Sequence, residues 1–594
     1  MEEYSRRLES VRAQMAEFRL DALIVPRADE YLGEYIPAHN ERLRWITGFT
    51  GSAGVAIVLR ESAAIFVDGR YTEQVQQQVS SELFEILHLV EEPHLQWLVE
   101  QLNSGARVGY DSRMHPLRWQ QQASKTLGKA SIELIPVTEN LIDRCWLDRP
   151  LPELHPAILL EEKYTGQGSA SKRQEIGELI TAAGADAAYI FAADSVAWLL
   201  NLRGRDVPCL PLVLGSGLLY ANGEMMFFCD PEKIPEGFIE HVGEGVEVLA
   251  ETDIAKAFAA LAGKTIMADP QTANAWSQLA LKNAGAVLLG VDDPVILPKA
   301  CKSDIEVQGM RNAHIRDGVA EVQFLAWLDT EVAAGNLHDE AVLSDKLYAF
   351  RARQDLFQET SFDTISAAGP NAAMAHYNHV NGTPADLMKD TAYLVDSGGQ
   401  YLDGTTDITR TVAIGDPGEE VRRMFTLVLK GCIALDKIRF PDGTTGGQLD
   451  ILARQFLWQQ GFDYDHGTGH GVGSFLSVHE GPQRIGKVVS DVALKPGMVV
   501  SDEPGYYKTD RYGMRCENLV VVTEIGKMED TGRPWYGFEV LTMVPFDMRM
   551  IDVALLTPAE LNWLNSYHSK VLAVIGPLLE GSDLQWLEAA TSPL

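Results

Sequence analysis

The chain contains few cysteines and few basic residues for its length. Six cysteines are scattered over 594 residues without a C-x-x-C pair. This distribution excludes a disulfide framework and favours a reducing compartment. The chain has 50 Lys and Arg residues against 83 Asp and Glu residues, a formal charge of −33. A surface this acidic repels phosphates, which argues against nucleic-acid binding. We therefore expect a cytoplasmic protein that binds no nucleic acid.

Long hydrophobic segments are also missing. Residues 1–18 have the pattern of a charged amphipathic helix without an apolar h-region, so they do not predict a secretory signal. The most apolar stretch, residues 209–220, contains Pro211, Gly215 and Gly217 and is too short to span a bilayer. We expect no membrane association. The content of 46% hydrophobic and 22% charged residues is typical of globular domains.

One arrangement of elements occurs twice in the N-terminal half. The order is helix, strand, Trp-containing loop, strand, strand, and it recurs after about 160 residues. Helices alternating with apolar strands predict two α/β domains. The predicted elements of the first copy are residues 8–18, 21–29, 55–59 and 63–71, and those of the second are 172–183, 186–194, 211–215 and 224–230.

Composition also suggests where the domains meet. A Pro-rich stretch covers residues 149–156. Near residue 300, Ser303 and Glu306 have the spacing of a capping box before a long helix. We predict domain I at 1–153, domain II at 154–300 and a third domain at 301–594. The third domain has apolar strands separated by Gly-rich turns, so the predicted class is α/β (α+β).

Five acidic or imidazole side chains in the third domain form one constellation. Each lies on or beside a predicted strand or turn, and they are Asp396, Asp407, His470, Glu503 and Glu517. A single Asp before a Gly turn usually serves only to form the turn. That explanation does not account for all five residues together, because their local sequence contexts are specific. We predict that Thr405, Asp407, Thr409 and Thr411 share one face of a strand.

Charge explains what such a set would require. Four carboxylates carry about −4 charges, which are unfavourable in a buried pocket unless cations neutralise them. Two divalent ions would do so, and oxygen and imidazole ligands suit Mn²⁺ better than the thiolate sets of structural zinc. Two ions about 3.5–4 Å apart can hold a bridging hydroxide and polarise a carbonyl group.

The motifs resemble those of methionine aminopeptidases, prolidases and aminopeptidase P, which share the pita-bread fold. The spacing of eleven between Asp396 and Asp407 matches that family. So do H-x-x-x-H-G-x-G at 466–473, E-P-G-Y-Y at 503–507 and R-x-E-N at 515–518. ERLRWITGFTGSAG and FVDGRY in the first domain resemble the three-domain form of aminopeptidase P. The resemblance therefore implies two creatinase-like N-terminal domains before a pita-bread metallopeptidase domain.

Carried over residue by residue, the resemblance implies a ligand set for two divalent ions. Asp407 and Glu517 would bridge both ions. Asp396 would complete the coordination of one ion. His470 and Glu503 would complete that of the other. We expect both ions to be Mn²⁺.

The resemblance also implies catalytic roles. His376, His466 and His479 match active-site histidines, and we expect His479, assisted by His376, to donate to the negative oxygen of the gem-diolate. Glu503 would shuttle the proton of the bridging water. Arg515 would hold a ligand carboxylate in place through the paired N–H donors of its planar guanidinium group.

In the first domain, Arg70 of FVDGRY matches a substrate-contacting arginine. GPQRIGK at residues 481–487 matches most of a phosphate-binding loop. However, Val488 stands where Ser or Thr should bind Mg²⁺, and no apolar strand precedes the segment, so we reject that interpretation. The chain contains no H-E-x-x-H motif.

The function implied is that of an Xaa-Pro aminopeptidase, which hydrolyses the N-terminal residue from peptides with proline second. One alternative is prolidase, which shares the fold and ligands but cleaves only dipeptides ending in proline. Another is a peptidase-like binding protein without metals, such as a histone-chaperone module. The three-domain relatives also imply a homodimer formed through the C-terminal domain.

Overall fold

The computed structural model describes residues 2–488 and 490–594. These residues divide into two units, one up to Leu159 together with Gln167–Ile296, the other of Leu160–Gly166 with Leu297–Leu594. All six cysteines are free thiols. Across the described ranges, no helix has both the length and the apolar content needed to cross a membrane.

The first sheet forms because short apolar runs alternate with amphipathic helices. Strand β1 is buried along its whole length, and it pairs antiparallel with β2 and parallel with β5. The strand order is β4-β3-β2-β1-β5-β6. The elements are α1 (Glu2–Glu17), β1 (Ala22–Pro26), α2 (Arg42–Thr47), β2 (Val55–Leu59), β3 (Ala63–Val67), α3 (Thr72–Gln78), β4 (Glu85–His88), α4 (His94–Gln101), β5 (Arg107–Tyr110), α5 (Leu117–Lys129), β6 (Glu133–Pro136) and α6 (Leu141–Cys145).

The second sheet repeats this topology. Its order is β12-β11-β10-β8-β13-β14, with the same succession of parallel and antiparallel pairs. The predicted duplication is confirmed. The elements are β7 (Ile158–Leu159), α7 (Glu162–Thr165), α8 (Ser169–Ala182), β8 (Ala187–Ile190), α9 (Ala193–Leu200), β9 (Leu202–Arg203), β10 (Ser216–Tyr220), β11 (Met225–Phe228), α10 (Phe238–Val242), β12 (Val246–Leu249), α11 (Ile254–Ala259), β13 (Thr265–Ala268), α12 (Ala275–Asn283), β14 (Val287–Leu289) and α13 (Ile296–Ala300).

One predicted strand of this copy was wrong. Residues 211–215 are not a strand, and the hydrogen-bonded segment is β10, which begins at Ser216. The turn between β10 and β11 sets their register. Pairing begins next to the turn with Leu219↔Met225 and ends at Ser216↔Phe228, so it does not extend to residues 211–215. Apolar character alone does not locate that register.

Over its described residues, the third region carries its strands in four sheets. Their orders are β15-β18-β19, β16-β17-β20, β21-β28-β27-β24-β22-β23 and β25-β26. The elements are α14 (Asp304–Ala334), α15 (Glu340–Arg351), β15 (Phe357–Thr360), β16 (Ile365–Ala368), β17 (Thr391–Ser397), β18 (Gly399–Tyr401), β19 (Gly404–Thr405), β20 (Ile408–Ile414), α16 (Gly418–Asp436), β21 (Arg439–Pro441), α17 (Gly446–Trp458), β22 (Gly469–Gly471), β23 (Glu480–Ile485), β24 (Val499–Asp502), β25 (Gly505–Lys508), β26 (Tyr512–Arg515), β27 (Asn518–Lys527), β28 (Pro534–Val540), α18 (Pro558–Ile575) and α19 (Gly581–Ala590).

Two helices frame these sheets. The 31-residue α14 begins with the predicted capping box, in which Ser303 accepts from the Glu306 amide and Glu306 accepts from the Ser303 amide. Gly335, with a φ of 87°, ends it in the left-handed conformation that favours glycine. Helix α16 buries most of its length in the largest apolar cluster of this unit. The mixed α/β architecture predicted from the sequence is confirmed.

Candidate active site

The five predicted ligands lie at strand ends and connections of the third region. Asp396 is in β17 and His470 in β22. The other three sit outside strands: Asp407 follows β19, Glu503 follows β24, and Glu517 lies between β26 and β27. The pairing of β24 with β27 joins Asp502 to Asn518, which brings the flanking Glu503 and Glu517 to neighbouring strand ends. The predicted position of Asp407 within a strand was wrong, because β20 begins only at Ile408.

Three of these side chains converge tightly. Ligand atoms of Asp407, His470 and Glu517 lie within 4.8 Å of one another. His470 Nε2 is 3.4 Å from Asp407 Oδ2 and 3.6 Å from Glu503 Oε1. Glu517 is 1% exposed and Asp407 4%, so these carboxylates are removed from bulk water.

Asp396 is tied to the same site through Arg515. Arg515 Nη2 donates to Asp396 Oδ2 over 2.5 Å, while Asp396 Oδ1 has no hydrogen-bond partner. Thr409, which faces Asp396 across the β17–β20 ladder, donates from Oγ1 to Glu517 Oε2 over 2.6 Å. Arg515 Nε in turn donates to Thr409 Oγ1 over 3.0 Å.

Crowding of like charges dominates the electrostatics. Burial, reinforced by the neighbouring Asp407 and Glu503 carboxylates, raises the pKa of Asp396 to about 7 despite the contact with Arg515. Burial and the surrounding carboxylates raise the pKa of Glu517 well above its ordinary value. Burial alone would lower the pKa of His470, but Asp407 and Glu503 raise it to about 9. The cluster is therefore short of positive charge.

Two glycines allow the strands to approach closely around His470. A Cβ on Gly469 would lie 2.0 Å from the Ser501 carbonyl oxygen, and one on Gly471 would lie 2.4 Å from that of Glu480. A larger residue at either position would force the backbones apart. The glycines of HGTGHGVG thus serve strand packing around the imidazole.

The predicted active-site histidines occupy loops beside this cluster. The ring of His479, which precedes β23, packs against that of His470 with centroids 4.4 Å apart. His466 Nε2 is 2.8 Å from Tyr507 Oη, and its Nδ1 is 3.9 Å from Glu503 Oε2. His376 is half-buried in a turn, and the carbonyl of the preceding Ala375 accepts from Arg515 Nη1.

Two polar residues of the site were not identified from the sequence. Tyr507 accepts a 2.6 Å hydrogen bond from Arg515 and contacts His466, so it joins an arginine to a histidine. Thr409 joins Arg515 to Glu517. Tyr507 ends the E-P-G-Y-Y motif and Thr409 belongs to the polar alternation near Asp407, so both lay within recognised patterns.

Arg70 belongs to the other unit. Its guanidinium forms an ion pair with Asp68 at 2.8 Å and lies over the ring of Tyr71. The substrate contact expected of it stays a prediction, as do the domain boundaries at 153/154 and 300/301.

The donor set fits a pair of hard divalent cations. It offers four carboxylates and one imidazole, without a thiolate. Asp396 Oδ1 is buried without a hydrogen-bond partner, as expected of a ligand atom whose partner is a cation. The raised pKa values of Asp396 and Glu517 reflect burial and repulsion among crowded carboxylates, and bound cations would relieve that repulsion.

Family models match almost the whole chain. Residues 308–524 match the metallopeptidase family M24, and 534–594 match the C-terminal region of that peptidase family. Residues 7–145 and 148–306 each match a creatinase/prolidase N-terminal domain.

Relatives of similar length extend this likeness. A probable Xaa-Pro aminopeptidase P from Tuber melanosporum is 42% identical over 99% of both chains. Aminopeptidase P1 from Lotus japonicus is 36% identical, again over 99% of both. Among solved structures, the X-prolyl aminopeptidase from Caenorhabditis elegans, described as a cytosolic enzyme with a di-nuclear active site, has a TM-score of 0.94 and 33% identity, covering 100% of both chains.

Proposed function

Because the chain belongs to the metallopeptidase M24 family, with two creatinase/prolidase N-terminal domains, we propose that it is an Xaa-Pro aminopeptidase. It would release the first residue of peptides whose second residue is proline. The observation that carries the proposal is the convergence of Asp407, His470 and Glu517 within 4.8 Å, in a chain whose full-length relatives bear that activity in their names.

Five residues would hold two divalent ions. Asp407 and Glu517 would bridge them, Asp396 would complete one, and His470 with Glu503 would complete the other. Bound divalent ions would supply Lewis acidity, which lowers the pKa of water and polarises a carbonyl group. Mn²⁺ is the ion we propose, because the ligands are hard oxygens and one imidazole.

Glu503 is placed to handle a proton. It lies at the end of β24, accepts from Ser501 Oγ over 3.2 Å, and sits 3.6 Å from His470 Nε2. Burial raises the pKa of this carboxyl group above its ordinary value. A carboxylate of raised basicity can take a proton from the attacking water and return it to the leaving amine.

His479 is placed to donate to developing negative charge. Its ring packs edge-on against His470, which places His479 beside the ligand cluster. Donors fixed before the reaction stabilise the oxygen that becomes negative in the transition state. His376 would assist, because Arg515 holds its loop at the carbonyl of Ala375.

Proline specificity has a separate physical basis. The bond before proline is a tertiary amide without an N–H, so the site must recognise the ring by shape. We propose that His376 and His466 wall that pocket, with Tyr507 fixing the ring of His466. Arg70 is proposed to contact the substrate. In keeping with the cytosolic C. elegans relative, we propose a cytoplasmic homodimer joined through the C-terminal domain.

Comparison of substrates tests the proposal. Rates with added Mn²⁺ are measured on Xaa-Pro tripeptides, Xaa-Pro dipeptides, Xaa-Ala tripeptides and N-acetylated Xaa-Pro tripeptides. We expect rapid cleavage of the first, poor cleavage of the alanine series and none of the acetylated peptides. Activity confined to dipeptides would assign prolidase, and absence of hydrolysis with every metal tried would favour a binding protein.

Sedimentation of a monomer at micromolar concentration would contradict the proposed dimer.

Metal dependence is tested on the same substrates. Chelation should abolish turnover and Mn²⁺ should restore it. Asp407→Asn should be among the most damaging single changes, because Asp407 would bridge both ions. Full activity in a rigorously metal-free sample would contradict the ligand assignment.

A further inference from the structure

A second group of potential ligands lies behind the active-site carboxylates. Cys432 Sγ and carboxylate oxygens of Asp436 and Asp502 lie within 4.8 Å of one another. Cys432 is 0% exposed, Asp502 1% and Asp436 6%. None of the three belongs to the proposed dinuclear set.

The fold explains why this group is separate from the dinuclear site. Cys432 and Asp436 are four residues apart on α16, so they project from one face of the helix. Asp502 ends β24 next to Glu503, and successive residues of a strand point to opposite faces. Its cross-strand partner is Asn518, the neighbour of Glu517. Asp502 and Asn518 therefore face α16, while Glu503 and Glu517 face the active site.

The hydrogen bonding of the group is incomplete. Neither oxygen of Asp502 has a hydrogen-bond partner, and neither has Asp436 Oδ1. Asn518 Nδ2 donates to Asp436 Oδ2 over 3.0 Å and approaches Cys432 Sγ at 4.0 Å. Arg410 and Lys570 act on Asp436 through their charge, but the hydrogen bonds of Arg410 Nη2 and Lys570 Nζ go to other groups. Buried carboxylate oxygens that accept no hydrogen bond are strongly unfavourable, and three oxygens of this group are of that kind.

The guanidinium group of Arg410 does not supply the missing hydrogen bonds to these carboxylates. Arg410 Nη2 donates to Asn518 Oδ1 over 3.0 Å and to Tyr567 Oη, and its remaining hydrogen bonds go to backbone carbonyls. Arg410 thus orients the amide of Asn518, whose N–H₂ group then points at the anionic cluster. This is the arrangement in which an outer residue orients ligands around an ion.

We propose that Cys432, Asp436 and Asp502 bind a third divalent transition-metal ion, distinct from the dinuclear pair. One sulfur and three free carboxylate oxygens provide four donor atoms, the number that structural zinc sites use. A thiolate among the ligands favours zinc over manganese. The ion would neutralise the two aspartates and fix α16 to the strand ends that carry Glu503 and Glu517, a structural role.

Metal retention after chelation tests the proposal. Enzyme produced in zinc-supplemented medium is dialysed against chelator until turnover is lost, and its metal content is measured. We expect about one zinc ion per subunit to remain, because a fully buried ion exchanges slowly. Asp407→Asn should keep this ion. Cys432→Ser and Asp436→Asn should lose it, whereas Cys516→Ser, a buried thiol outside the group, should keep it.

Cobalt substitution gives an independent readout that needs no variant. Co²⁺ bound to a thiolate has an intense near-ultraviolet charge-transfer band, and the dinuclear set contains no thiolate. Enzyme grown with cobalt should show this band after chelation of the exchangeable ions. Absence of both the retained ion and the band would overturn the proposal and assign the cluster to a proton shared between Asp436 and Asp502. The outcome does not depend on peptidase activity.

Discussion

Among single side chains, His479 gives the clearest test of catalysis. It packs against His470 without being one of the five proposed ligands. The negative oxygen to which His479 would donate develops only in the transition state. His479→Ala should therefore lower kcat by about 10²-fold or more, with little change in KM. Steady-state kinetics on an Xaa-Pro tripeptide measure both constants, and His155→Ala, at a partly exposed position, is the control. An unchanged kcat with a raised KM would move His479 to ground-state binding.

Arg515 is the second residue to test, because its planar fork reaches several partners at once. Lysine keeps the charge but cannot contact Asp396, Thr409 and Tyr507 together. Arg515→Lys should weaken Mn²⁺ binding by about 10–100-fold, the usual effect of removing a residue that orients a ligand. Manganese titration of activity and calorimetry measure this change. Arg311→Lys, in a partly exposed pair with Glu539, should leave the titration unchanged.

At the scale of secondary structure, strand β23 is held at its first residue by a buried ion cluster. Lys302 donates to Glu480 Oε1, and Lys299 Nζ lies 3.5 Å from Glu480 Oε2, with all three side chains at most 3% exposed. Glu480 directly follows His479 and pairs with Gly471 of β22. The cluster therefore fixes the strand that presents His479.

Removing the anion of this cluster should destabilise the fold strongly. Glu480→Gln would remove the carboxylate that buried Lys302 contacts, and loss of one partner of a buried ion pair typically costs about 3–5 kcal/mol. Urea unfolding measures the change in the free energy of unfolding. Glu161→Gln, in a pair whose side chains are more than half exposed, should change it by less than about 1 kcal/mol. Equal effects of the two substitutions would contradict a buried, uncompensated charge.

Local patterns predicted some elements of the site and could not predict others. The proposed ligands lie in short motifs, so the resemblance of those motifs to a known family was enough to identify Asp396, Asp407 and His470 as candidates. The contact of Arg515 with the Ala375 carbonyl joins residues 140 positions apart, which only the tertiary fold brings together. Asp407 lies in a connection because the β17–β20 register begins at Ile408. Register of this kind depends on the partner strand, which the local sequence does not specify.

The same reasoning applies to whole sheets. The repeated order of elements predicted the duplicated α/β fold, because each copy alternates helices with apolar strands. The start of β10 was missed since residues 211–215 are as apolar as the strand that follows. The group of Cys432 and Asp436 reads locally as part of an amphipathic helix, and only the packing of α16 places Asp502 beside it.

For the molecule as a whole, the N-terminal unit contains histidines that make it sensitive to acid. His115 is 4% exposed and stacks on Trp119 with centroids 3.7 Å apart. Burial, with a minor effect of His94, lowers the pKa of His115 to about 3, and burial lowers that of His94 to about 4. The ordinary value is about 6.5. Both rings are therefore neutral in the folded protein at neutral pH.

The sign of the pH dependence follows. Unfolded chains take up protons at these histidines below pH about 6.5, whereas the folded protein does so only near pH 3–4. Their contribution to stability is complete above pH about 6.5 and is lost as pH falls toward about 4. Thermal unfolding midpoints should thus decrease over this range, and His115→Phe, which keeps a ring against Trp119, should reduce the slope. An unchanged slope would show that other groups control acid unfolding.

The contacts of Arg515 have a consequence for how this protein can vary over evolutionary time. One guanidinium meets Asp396, Thr409, Tyr507 and the loop before His376. Substitutions at residues that share a partner are not additive, so the effect of each depends on the state of the others. These positions are expected to show strong epistasis in double-mutant cycles. A lineage could replace one of them only after a compensating change at another, so the hydrogen-bond network would evolve as a block.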